Sequence, residues 1–156
     1  MKKVILGICI LSLFSACSKK SSSSSSAGTW KFAGTGYTAA TVVYVNGGGE
    51  ANLSASATGA TQTSANGLVF TFITPPTANT QMLITDSNDP NTVMVSASRL
   101  SGTTTTFWSN DATNVMANVT VQNGKVGISF PGSIWLHNIS DFNDSAQISV
   151  GTITQQ

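Results

Sequence analysis

The chain has 156 residues, 40% of them hydrophobic and only 8% charged, with a formal net charge of +1. Past residue 28 the basic side chains are Lys31, Arg99 and Lys125, against Glu50, Asp86, Asp89, Asp111, Asp141 and Asp144. No basic face exists to neutralise a run of phosphates, which argues against nucleic-acid binding. Both cysteines, Cys9 and Cys17, lie near the N-terminus, so the remaining chain has no disulfide, thiolate nucleophile or thiolate metal ligand.

In chain order, Met1-Lys2-Lys3 is a positive n-region and Val4 to Phe14 an apolar run. A helix spanning a bilayer needs about 20 apolar residues, so this run is too short to cross and suits a signal h-region. It ends in Leu13-Phe14-Ser15-Ala16-Cys17. Two small residues followed directly by cysteine resemble the lipobox of bacterial lipoproteins, with Phe14 where that family most often has Leu. The resemblance implies that residues 1–16 are removed as a signal peptide. The Cys17 thiol would then carry diacylglycerol, and its new amine a further acyl chain. Each buried methylene contributes about 0.8 kcal/mol, and about two chains give stable anchoring. The expected partner is thus a membrane, reached through the lipid on Cys17.

Residues 17–28 read as a tether: Lys19 and Lys20 at headgroup level, then Ser21 to Ser26, which has no apolar surface to bury. A flexible coil of about ten linker residues reaches roughly 17 Å. Lipobox, lysines, polyserine and a small Thr/Ser/Asn-rich β-domain resemble the layout of the many short lipoproteins of Bacteroidota. That resemblance implies an outer-membrane location. Some members carry an acidic export cluster after the cysteine, where this chain has Ser18-Lys19-Lys20, so a periplasmic and a cell-surface face both stay open.

Residues 29–156 read as one β-domain. Period-two runs rich in Val, Ile, Thr and aromatics recur between Gly, Asn, Pro and Asp clusters. The first, Thr29 to Phe32, turns at Gly34-Thr35-Gly36 into Thr38 to Val45; Asn46 to Gly49 leads into Ala51 to Ala57, with Leu53, Ala55 and Ala57 inward. Asn66-Gly67 is read as a turn before Leu68 to Ile73, a run that Pro75-Pro76 ends. Met82 to Thr85, Thr92 to Ser98, and Thr103 to Trp108 after a tight Ser101-Gly102 turn come next. Val115 to Val121 and Lys125 to Phe130, joined by Asn123-Gly124, give the strongest hairpin signal, with Val126, Ile128 and Phe130 inward. Ile134 to Ile139 and Ala146 to Thr154 close the domain. The expected fold is all-β, an antiparallel two-sheet β-sandwich of about ten short strands, with a closed β-barrel as the alternative.

Candidates for chemistry are few, and no cofactor is expected. His137 is the only histidine. A general base or metal ligand needs partners, and no Gly-x-Ser-x-Gly elbow occurs, so no catalytic residue is assigned and an enzyme is not expected. Two loops each gather hard oxygen donors: Asp86, Asn88 and Asp89, and Asp141, Asn143 and Asp144. They are weak calcium candidates without EF-hand spacing, and Asp and Asn favour such turns for their own backbone bonds. Asp144-Ser145-Ala146 resembles the O-glycosylation acceptor of exported Bacteroidota proteins, making Ser145 a candidate modification site. Among Trp30, Tyr37, Tyr44, Phe107, Trp108 and Trp135, the pair Trp108 and Trp135 falls opposite the faces assigned to the core, as a ligand platform would. Three functions follow in order: a non-enzymatic, lipid-anchored envelope protein with a structural or binding role; a carbohydrate-binding module; and a small hydrolase built on His137, a carboxylate and a serine.

Overall fold

Eleven strands run through the residues that the computed structural model describes, 27–61 and 64–156. They are β1 (Gly28–Phe32), β2 (Thr35–Gly47), β3 (Glu50–Ala57), β4 (Ser64–Phe72), β5 (Thr80–Ile84), β6 (Thr92–Ser101), β7 (Thr104–Asn110), β8 (Met116–Gln122), β9 (Lys125–Ser129), β10 (Ile134–Asn138) and β11 (Asp141–Thr154). The signal segment, Cys17 and the serine tether up to Ser26 lie outside the described residues.

The all-β, sandwich-like expectation holds, with two differences in how the strands connect. All eleven are linked into one sheet rather than two, and that sheet is mixed, because β5 runs parallel to β6 through Leu83–Thr92 and Ile84–Val93. Pairings run β1–β2–β3–β4–β6–β7–β10–β11 and return to β1, so both edges of this circuit are joined. Two long strands make the second layer possible. The start of β6 pairs with β5 and its later residues with β7. The start of β11 likewise pairs with β10 and its end with β9.

Period-two patterning explains the core. Leu53, Ala55 and Ala57 on β3, Leu68, Phe70 and Phe72 on β4, and Val93, Val95 and Ala97 on β6 are all buried. Val126, Ile128 and Phe130 meet them from the other side, as their alternation predicts. Each fully buried Phe, Leu, Ile or Val contributes about 1.5–3 kcal/mol, and with no disulfide available among these residues the core carries the fold. Asn123 (φ 52°) and Gly124 (φ 76°) form the left-handed two-residue turn between β8 and β9 that an Asn-Gly pair favours.

Two local readings change. The first turn sits on Ala33 and Gly34, with β2 already under way at Thr35. Asn66-Gly67 is not a turn but part of β4, paired with Arg99 and Ser98 of β6. A side chain at Gly67 would come within 2.8 Å of the Ser98 hydroxyl, so this glycine serves close strand approach rather than chain reversal.

The topology gives the domain two ends. The β1–β2, β3–β4, β6–β7 and β10–β11 connections all fall at one end, and Gly28 and Ile153, paired with each other, lie at the other. Gly28 therefore lies opposite the β10–β11 tip, separated from it by roughly 40 Å along β11.

Candidate functional site

On β10, Ile134 and Leu136 are buried while Trp135 and His137 point outward, and Trp135 is 54% exposed. Register sets Gln147 beside Trp135, and Ser109 and Ser145 on either side of His137. The Nε2 of His137 lies 3.4 Å from Oδ2 of Asp111. Both groups are solvent-accessible, so this contact contributes at most about 1 kcal/mol, and only when the imidazole is charged. Among the described residues no hydrogen bond joins a serine to His137.

The same outer face continues across β11 and β1 to β2. Thr29, Lys31, Gly36, Thr38, Ser149 and Gly151 line an open groove of about 420 Å³ there. Glycines on both flanks keep the floor low, and beneath it Trp30 stacks on Tyr37 at 5.4 Å and 24°. Hydroxyls and one ammonium suit a polar ligand, while the Trp30 and Tyr37 rings pack on the inner side of the sheet. Pairing of Lys31 with Ser149, and of Trp135 with Gln147, places the groove and Trp135 on one continuous surface.

The expected pair of exposed tryptophans is not formed. Trp108 is 6% exposed and packs edge-to-face on Phe32 at 5.0 Å. Trp108 shares its face of β7 with Thr104, Thr106 and Asn110. Asn110 is buried, accepting from the Val95 amide at 2.6 Å and donating to the Asp111 carbonyl at 2.7 Å. With only Thr104 and Thr106 in phase with Trp108 in the run Thr103 to Trp108, alternation does not mark its face as inward. Trp30 is buried as well, and Tyr37, Tyr44 and Phe107 are half-buried.

Both Asp/Asn loops are organised by their own side chains. In the first, Ser87 Oγ donates to Asp89 Oδ2 at 2.9 Å, and Thr92 Oγ1 donates to the Asp89 carbonyl at 2.6 Å; Asp86 and Asn88 are exposed. In the second, Asp141 Oδ1 accepts from the Asn143 amide at 3.1 Å, and Asp144 Oδ2 from Asn138 Nδ2 at 2.9 Å. Among the described residues no three His, Cys, Asp or Glu side chains converge as metal ligands. Ser145 is exposed on β11.

Two residues escape the sequence reading. Asp111 meets His137 from a distant part of the chain, with no local signal. Arg99 does have a signal, because it continues the buried series Val93, Val95, Ala97 in phase. The chain matches no protein family, no curated protein and no solved structure.

Proposed function

We propose that this chain is a non-enzymatic, lipid-anchored protein of a bacterial cell envelope, held at the outer membrane through acylated Cys17, whose β-domain serves as a binding module. The observation that carries this reading is the Leu13-Phe14-Ser15-Ala16-Cys17 box, followed by a serine tether that ends where β1 begins at Gly28. The fold is compatible with it: Gly28, where β1 begins, lies at the end of the domain opposite the four hairpin connections. Growth with labelled palmitate tests the reading. Label on the wild type and none on Cys17→Ser is the expected outcome, and an unlabelled wild type that stays in the aqueous phase of a detergent partition defeats it.

A glycan is the second reading for the ligand, favoured by exposed Trp135 on the same face as the hydroxyl-lined groove. Sugar rings stack their C–H faces on indole while neighbouring hydroxyl and amide groups bond to their oxygens. Glycan-array binding that Trp135→Ala abolishes supports it; binding that survives the substitution removes it. Exposure of Ser145 beside this face suits its modification, which an intact mass above that of the lipidated chain would reveal.

A further inference from the structure

Arg99 is the only arginine of the chain, and it occupies the inward phase of β6 directly after buried Val93, Val95 and Ala97. Register places Asn66 of β4 and Thr106 of β7 opposite it, in one row across three strands; the next row is Leu68, Ala97 and Trp108. Its guanidinium carbon stands 5.6 Å from the centre of the Phe32 ring and 5.7 Å from that of Trp108. Among the described residues this cation has neither a carboxylate partner nor a side-chain hydrogen bond. Two neighbouring polar atoms are buried and likewise unpartnered: Oδ1 of Asn66 and Nε1 of Trp108, the latter on a side chain more than nine-tenths buried.

Arg99 is half-buried, so its guanidinium loses part of its hydration, a cost that an anion or acceptors would offset. Two aromatic faces return only part of that cost. An indole N–H without an acceptor adds a second penalty in the same place. Of the three buried polar atoms without a partner among the described residues, Ser96 Oγ lies on the opposite phase of β6, whereas Asn66 Oδ1 and Trp108 Nε1 fall with Arg99 toward the end of the core carrying the hairpin connections. The open end of a closed sheet is a common place for a ligand.

We propose that Arg99, Trp108 and Asn66 form a binding niche for a small carboxylate. The planar guanidinium fork matches the two carboxylate oxygens. The Trp108 N–H supplies a further donor, the Asn66 amide can bond to a substituent, and the Phe32 ring covers the carbon skeleton. A free organic acid and a uronate on a glycan share this chemistry.

The test is a titration of the ¹⁵N-labelled full chain, following the Trp108 indole and Arg99 Nε–H resonances at constant ionic strength. Acetate and glucuronate are the probes and chloride is the control. Saturable movement of both resonances with either carboxylate, absent with chloride, is the expected result. Tighter binding of glucuronate assigns the ligand to a glycan, and equal binding to a free acid; both uphold the niche. No movement up to about 100 mM carboxylate, equal movement with chloride, or unchanged binding by Arg99→Met overturns it. Should Arg99→Met not fold, Arg99→Lys keeps the charge without the fork and should weaken binding on the order of tenfold. Trp108→Phe keeps the ring without the N–H and should weaken it about three- to tenfold. Equal affinity in either variant overturns the proposal.

Discussion

Phe32 on the first strand meets Trp108 on β7 edge to face, their ring centres 5.0 Å apart at 66°. This contact joins strands far apart in sequence and fixes the two tryptophans that looked alike as opposites. Truncating Trp108 to Ala removes a large buried ring and should cost about 3–5 kcal/mol. Trp135→Ala, on the exposed face, should stay within about 0.5 kcal/mol of wild type. Urea melts of the two variants make the comparison, and equal midpoints would contradict the placement of these rings.

Backbone conformation gives a pair of opposite effects. Ala33 adopts a φ of 49° in the β1–β2 turn, a left-handed region that costs an L-residue about 1–2 kcal/mol. Asn tolerates that region better, so Ala33→Asn should raise stability by about 1 kcal/mol. Gly28 has a φ of 137°, and a side chain there would run into the carbonyl oxygen of Thr152. Gly28→Ala should therefore lower stability by about 2 kcal/mol or more, through loosening of the β1–β11 pairing that closes the circuit. Thermal melts should move in opposite directions for the two variants.

Burial pushes the Tyr44 phenol above its ordinary value of 10.0. Tyr44 also packs against Phe72, ring centres 6.4 Å apart. A raised folded-state value means that the folded chain keeps its proton while the unfolded chain loses it. This contribution is fully present below pH about 10 and is lost as pH rises through the folded-state value. The melting temperature of wild type should fall over that alkaline window more steeply than that of Tyr44→Phe. Parallel pH profiles would show that the phenol is not shielded.

Calcium should have little effect on this domain. The Asp89, Asp141 and Asp144 carboxylates already accept hydrogen bonds from Ser87, Asn143 and Asn138. A cation would have to displace these bonds without the ring of six to eight oxygens that it prefers. Calorimetric titration with millimolar calcium should give no heat, and the melting temperature should not move; a saturable heat would show that the loops rearrange around the ion.

Much of this architecture is legible from alternation alone. Leu53, Ala55, Ala57, Val126, Ile128 and Phe130 point inward as their spacing demands, and Asn123-Gly124 turns where expected. What alternation cannot report is pairing between distant strands. The parallel β5–β6 contact and the approach of Asp111 to His137 depend on chain paths that no local pattern encodes. Polar residues inside the core mislead in a different way. In the run Thr103 to Trp108, Trp108 shares its phase with only Thr104 and Thr106, so alternation does not mark that face as inward, and buried Asn110 extends the same polar phase. Asn66-Gly67 looked like a turn because its composition is that of one, whereas the pairing with β6 keeps it extended.

The central claim is covalent, and mass spectrometry of the N-terminal peptide of the membrane-extracted protein tests it most directly. A peptide that begins at Cys17 and carries diacylglycerol, with or without a third chain on its amine, is the predicted result. A peptide that begins elsewhere, or an unmodified Cys17, would contradict it.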